Sequence, residues 1–141
     1  MPKVLIIDDQ QCIRELISEE LISEGYEVHG LGDAKSVKVN LRFSKPDLML
    51  IDLCLDEADG FGLLHEIKGQ YPKIPVIIYT AYDSYREDSR LSQADGYVIK
   101  SAMLDELKEK IADILAQQQT VEVGGDGGPI YGERRVALAS R

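Results

Sequence analysis

Five polar residues fall directly behind four short apolar runs in this chain. Asp8 and Asp9 follow Val4-Leu5-Ile6-Ile7, Asp52 follows Leu48-Met49-Leu50-Ile51, Thr80 follows Pro75–Tyr79, and Lys100 follows Gly96–Ile99. These residue types define a restricted chemistry. Three carboxylates held close together raise one another's pKa unless a cation is present. Hard oxygen ligands with open water positions suit Mg²⁺, which takes one or two carboxylates together with phosphate oxygens. A carboxylate can also be the nucleophile that receives a phosphoryl group, giving an aspartyl phosphate. A metal and a lysine on the phosphoryl oxygens then supply positioning and charge neutralisation, which is nearly all the catalysis such a transfer needs.

The elements around these residues decide whether they meet. Val4–Ile7 is a continuous, β-branched-rich run of the kind buried on both faces of a sheet. After Asp8-Asp9-Gln10, residues Ile13, Leu16, Ile17 and Leu21 recur at helical spacing, and Gly25 offers a stop. Glu27–Leu31 is a second short strand. Asp33 is an N-cap for a weaker helix carrying Ala34, Val37 and Leu41, closed by Pro46. Leu48–Ile51 is the third strand, and a helix with Leu63, Leu64 and Ile67 follows Gly60. Pro75–Tyr79 and Gly96–Ile99 are the fourth and fifth strands. Leu104, Leu107, Ile111, Ile114 and Leu115 mark the clearest amphipathic helix. Between the last two strands, Ser84–Gln93 offers only Tyr85 and Leu91 for burial, so a helix there is short or frayed.

Alternating strands and helices imply an α/β fold, a five-stranded parallel sheet with helices on both faces, doubly wound. Ligands of such folds bind beyond the carboxyl ends of the strands, which is where all five polar residues fall. Taken singly, each has a plainer reading. An Asp-Asp pair can neutralise a helix N-terminus, Asp52 can cap a loop, Thr80 can form a turn, and Lys100 can be a surface charge. No structural need brings all five to one edge.

Length and charge set outer bounds. The chain has 141 residues, 44% of them hydrophobic, and a formal net charge of −9. That suits one globular domain and argues against disorder. Residues 120–141 carry as many arginines as acidic side chains, so the whole of the −9 belongs to 1–119. We therefore read 1–119 as the domain and 120–141 as a Gly-rich tail or linker, with Gln117-Gln118-Gln119 ending the last helical pattern. Strong acidity argues against direct nucleic acid binding and against an anionic membrane face. Two cysteines without metal-type spacing, and no apolar run of membrane-span length, point to the cytoplasm. Cys12 is expected to be packed and inert, and His29 and His65 solvated or partly packed.

The segments IIDD, IDLCL, IIYTAY and GYVIK resemble the receiver domain of bacterial two-component response regulators, the family of the chemotaxis response regulator. The likeness covers roughly residues 3–118. It implies that Asp52 is the phosphoacceptor, receiving its phosphoryl group from a sensor histidine kinase or phosphotransfer protein. It implies that Asp8, Asp9, Asp52 and the backbone carbonyl of Cys54 hold Mg²⁺. Thr80 would bond a phosphoryl oxygen, Lys100 would pair with the phosphoryl oxygens, and Tyr97 would be an aromatic switch, with small Ala81 leaving room for its ring. Cys54 and Tyr82 occupy the positions that tune hydrolysis. The implied activity is a signalling switch with slow self-dephosphorylation, not that of an enzyme acting on other substrates.

Three departures from the family pattern stand out. The usual proline after the lysine is Ser101; a cis bond before a non-proline costs about 2.5–4 kcal/mol, so a trans Lys100–Ser101 bond is expected. Ser101 would then cap the last helix and Lys100 would be less rigidly held. The proline usual in the loop after Asp52 is Asp56, which places extra negative charge near the metal and suggests a more mobile loop. The spacing from Thr80 to Lys100 is short by about two residues, which shortens the fourth helix of the family's signalling surface.

Val121 and Val123, with Ile130, Val136 and Leu138, could pair as strands, a disordered linker being the alternative. Twenty-two residues cannot hold an output domain, so a complete chain would signal through a downstream protein effector, with a second copy also admitted as partner. The rival from another class is a receiver-like protein-binding scaffold that is not phosphorylated. A flavodoxin-like cofactor binder lacks a phosphate-binding loop after the first strand. An aspartate-based phosphatase would separate the two aspartates by one residue.

Overall fold

The computed structural model describes residues 1–55, 58–101 and 103–125. Five parallel strands form the sheet: β1 (Lys3–Ile7), β2 (Glu27–Leu31), β3 (Leu48–Ile51), β6 (Val76–Thr80) and β7 (Gly96–Ile99). A two-stranded antiparallel ribbon, β4 (Cys54–Leu55) and β5 (Ala58–Asp59), lies between β3 and the third helix. The helices are α1 (Gln11–Ser23), α2 (Ala34–Phe43), α3 (Gly60–Gln70) and α4 (Asp105–Gly125). The sheet order is β2-β1-β3-β6-β7. The chain thus runs outward from β1 to one edge, returns to β3 on its other side, and opens a crevice between the ends of β1 and β3.

Alternation along the strands splits the interior into two layers. Leu5, Ile7, Met49, Ile51, Val76 and Ile78 meet Val37 and Leu41 of α2 and Leu63, Leu64 and Ile67 of α3. Val4, Ile6, Leu48, Leu50, Ile77 and Val98 meet Ile17 and Leu21 of α1 and Leu107, Ile111 and Ile114 of α4. The doubly wound α/β architecture expected from the sequence is therefore the observed one. The apolar runs of β1, β3 and β6 are buried on both faces because each strand has a sheet neighbour on either side and a helix layer above and below. Edge strand β2 is mostly exposed, and its polar residues reflect that.

Local signals hold at the start of α2 and the end of α1. Asp33 Oδ1 accepts the Ser36 N–H at 2.8 Å, as expected of an N-cap. Gly25, at φ +99°, closes α1 in a conformation that side-chain-bearing residues rarely adopt. Several expectations need correction. Leu16 has helical spacing but is exposed, since α1 buries a narrower stripe through Ile17 and Leu21. Cys12 is exposed rather than packed, because it faces away from that stripe.

Ser101 does not cap α4. The helix begins at Asp105, while the Ser101 hydroxyl donates to the Met103 carbonyl at 2.6 Å and accepts the Met103 N–H at 3.2 Å, closing a local turn of its own. Helix α4 also runs past Gln119 to Gly125, so Val121 and Val123 are helical and cannot form the strand suggested for them. The expectations for Asp56 and for residues 126–141 lie outside the described residues.

Between β6 and β7 the fourth helix is reduced to two 3₁₀ turns, Asp83–Tyr85 and Ser89–Leu91. Leu91 is buried and Tyr85 half-buried, so two apolar anchors support two single turns and no longer helix.

Glycines 60 and 69 of α3 differ in what surrounds them. A Cβ on Gly60 would stand 2.6 Å from Leu53 Cα and 2.7 Å from the Asp52 carbonyl oxygen, both backbone atoms, whereas one on Gly69 would meet nothing within 4 Å. Gly60→Ala is expected to lower stability by about 1–3 kcal/mol through overpacking. Gly69→Ala is expected to raise it by about 0.5 kcal/mol. Opposite shifts in the urea midpoint would bear this out; equal shifts would contradict it.

Candidate functional site

Sheet register builds the site. Ile7 pairs with Ile51, so Asp8 and Asp52 leave the sheet side by side, and the Asp52 N–H is held by the Ile7 carbonyl at 3.0 Å. On the next strands Thr80 pairs with Ile99, and the Lys100 N–H donates to the Thr80 carbonyl at 2.7 Å. Lys100 therefore starts from a backbone position locked to Thr80. Its side chain crosses the carboxyl end of the sheet to the two aspartates.

The Lys100 ammonium donates to Asp8 Oδ2 at 2.8 Å and to Asp52 Oδ2 at 2.9 Å. Both carboxylates are nearly inaccessible, 2% exposed for Asp8 and 6% for Asp52. Their other oxygens are also engaged, Asp8 Oδ1 by the Gln10 N–H at 2.9 Å and Asp52 Oδ1 by the Cys54 N–H at 3.1 Å. Asp9 is half-buried beside them. One oxygen from each of Asp8, Asp9 and Asp52 falls within 4.8 Å of the others. Three hard oxygen donors at that spacing, on rigid strand ends, fit a small divalent cation such as Mg²⁺. The Lys100–Ser101 peptide is trans, and Lys100 nevertheless reaches the site; ion pairs with two carboxylates hold it where looser placement was expected.

Burial dominates the electrostatics. It pushes the Asp52 carboxyl above its ordinary value, an effect opposed by the bonds from Lys100 and the Cys54 N–H and reinforced by the Asp8 charge. Burial alone would lower the Lys100 ammonium, but its bonds to Asp8 and Asp52 outweigh this and hold it above the usual lysine value. Burial, followed by the neighbouring Asp52 charge, also raises the exposed Cys54 thiol, so Cys54 is not an activated nucleophile here.

Thr80 is fully buried, and its hydroxyl oxygen accepts the Tyr82 N–H at 3.4 Å. The Tyr97 hydroxyl donates to the Tyr82 carbonyl, and the Arg86 guanidinium lies 5.0 Å from the Tyr97 ring centre. The two polar groups of Tyr82's main chain therefore link Thr80 to Tyr97. The Tyr82 ring itself is 53% exposed and stacks edge-on with Tyr85. His29 is exposed with its Nε2 3.2 Å from Glu27 Oε2, and His65 is exposed on α3; neither joins the site. The sequence reading missed Gly60, whose lack of a side chain lets α3 start against the Asp52 backbone. It also missed Asp59, whose carboxylate accepts the Phe61 N–H at 3.0 Å and caps α3. An Asp directly before a Gly at a helix start was the available signal.

Against known proteins, residues 4–112 match the family described as the response regulator receiver domain. The chain belongs to that family. Among curated relatives, the response regulator protein VraR of Staphylococcus saprophyticus is 32% identical over 114 residues, covering 77% of this chain and 54% of that protein. The chain spans about half the length of the curated relatives it matches.

Two similar structures contain the response regulator TrrA of Thermotoga maritima. One, in complex with Mg²⁺-BeF, is 35% identical with a TM-score of 0.77, covering 80% of this chain and 98% of that one. The other, in complex with the histidine kinase ThkA, is 36% identical with a TM-score of 0.77, covering 82% and 99%. This receiver domain thus has the sheet order, acidic crevice and strand-end lysine in one assembly. Among its described residues no helix is long and apolar enough to cross a membrane.

A raised Asp52 pKa has a consequence for stability. A carboxyl that holds its proton more tightly in the folded state than its ordinary value of 3.8 costs stability when ionised at neutral pH. That cost shrinks as pH falls through the folded pKa and is gone below the unfolded one. Asp52→Asn is therefore expected to show a higher urea midpoint than the parent at pH 7, with the gap closing as pH approaches 3.8. A variant less stable than the parent at pH 7 would contradict this.

Proposed function

We propose that this receiver domain is a phosphorylation-dependent switch in which Asp52 accepts a phosphoryl group from a histidine kinase or phosphotransfer protein. The observation that carries the reading is the Lys100 ammonium bonded at once to buried Asp8 and Asp52 at the carboxyl ends of β1 and β3. In the transfer, a carboxylate oxygen of Asp52 attacks phosphorus and the phosphorus–nitrogen bond to the donor imidazole breaks. The electron pair goes to the ring nitrogen, which takes up a proton. Lys100 is placed to follow charge from the carboxylate onto the phosphoryl oxygens. Asp8, Asp9 and Asp52, with the Cys54 carbonyl, would hold Mg²⁺, which when bound neutralises charge on the phosphoryl oxygens.

Thr80 and Tyr97 supply the switch in this reading. A Thr80 hydroxyl drawn to a phosphoryl oxygen alters its bond with the Tyr82 N–H, and the Tyr82 carbonyl carries that change to Tyr97. Tyr82 and Cys54 set how readily water reaches the acyl phosphate. Domain 1–119 acts in the cytoplasm through protein partners and binds no nucleic acid itself; its surplus of carboxylates supports this. Residues 120–141 would serve as a tail or linker, and the first of them extend α4 to Gly125.

Incubation with acetyl phosphate and Mg²⁺, followed by intact mass, tests the assignment. One phosphoryl group is expected on the parent chain and none on Asp52→Asn, with Lys100→Ala slowed at least about tenfold. No gain on the parent would favour the unphosphorylated scaffold, and a gain that survives Asp52→Asn would place the acceptor elsewhere.

A further inference from the structure

Arg14 lies outside the residues assigned to the site, yet it is bonded to the site's backbone. It sits in the first turn of α1, and its guanidinium Nη1 donates to the Asp8 carbonyl oxygen at 2.6 Å. The Asp8 N–H donates to the Leu31 carbonyl at 3.1 Å, so the main chain of Asp8 is held on both sides, by β2 and by α1. The carbonyl that Arg14 grips belongs to the peptide joining Asp8 to Asp9. Holding that planar peptide restrains the two Cα atoms from which both carboxylate side chains leave the chain.

The path of the side chain is built for this contact. It runs over the end of β2, where Gly30 and Gly32 leave it room. A Cβ on Gly30 would stand 3.3 Å from Arg14 Cδ, and one on Gly32 would stand 3.1 Å from Nη1. Among the described residues Arg14 enters no ion pair, although Asp8 and Asp9 are close by in sequence. That choice of partner matters. A guanidinium forked onto a carboxylate would take the oxygens a cation needs, whereas one on the carbonyl adds no further bond to those oxygens.

We propose that Arg14 is a positioning residue that presets the Asp8–Asp9 pair for Mg²⁺, a role that rests on the metal-binding reading of the acidic crevice. Partners one bond removed from metal ligands commonly change affinity by about 10–100-fold when removed. The expected loss in Arg14→Ala is about tenfold in Mg²⁺ affinity, measured by calorimetric titration of the full chain with MgCl₂. Arg14→Lys keeps one cationic donor on a long stem and is expected to recover most of that affinity. The urea midpoint of each variant, taken without Mg²⁺, separates aiming from folding.

Weakened Mg²⁺ binding in Arg14→Ala, with recovery in Arg14→Lys and midpoints close to the parent, supports the role. Parent-like Mg²⁺ affinity in Arg14→Ala overturns it. So does an equal loss in both variants that tracks a fall in the midpoint, since that would make Arg14 merely structural. A parent chain that binds no Mg²⁺ overturns the metal-site reading itself, and this role with it.

Discussion

One ammonium group holds the carboxyl end of this sheet together. Asp8 and Asp52 are almost fully buried and stand side by side because β1 and β3 are paired in register. Two ionised carboxylates in that position repel each other and have lost most of their hydration. Lys100, bonded to both, is the counter-ion supplied by the chain itself. Much of the architecture serves to deliver it there. The Lys100 N–H is locked to the Thr80 carbonyl, β7 is paired to β6, and α4 packs Leu107 and Ile111 beneath the sheet.

The same arrangement suits the transfer proposed for this buried site. Burial raises the Asp52 pKa and Lys100 pulls it back, so the carboxylate is poorly solvated yet neutralised in charge. In the proposed transfer, a poorly hydrated oxygen nucleophile would have little water to shed before attack, and the cation beside it would already be in place for the transferred oxygens. The backbone around it is similarly predisposed. Gly60 allows α3 to begin against the Asp52 carbonyl, and Arg14 bonds the Asp8 carbonyl from the other side.

Much of this was legible in the sequence because it rests on patterns that survive without coordinates. Short β-branched-rich apolar runs between helical patterns read as strands, and the rule that ligands sit beyond strand ends then picked out Asp8, Asp9, Asp52, Thr80 and Lys100. What escaped was set by tertiary geometry. Leu16 has helical spacing, but how wide a stripe α1 buries depends on the sheet beneath it. Ser101 has the chemistry of an N-cap, yet its hydroxyl closed a turn with Met103 before the helix began. Arg14 reads as an ordinary helix-surface arginine until Gly30 and Gly32 are seen to make room for it. The polar stretch between β6 and β7 was a partial success: too few apolar anchors predicted a frayed helix, and two 3₁₀ turns are what they support.

Lys100 is the internal counter-ion of Asp52, and the site depends on that pairing. The most direct measurement is an acid titration of the Asp52 side-chain carboxyl by ¹³C chemical shift, without Mg²⁺, in the parent and in Lys100→Met. The parent should titrate above 3.8, and removal of the ammonium should move the midpoint higher still. Identical midpoints in the two proteins would contradict the account, because they would mean that the lysine does not neutralise the carboxylate it touches.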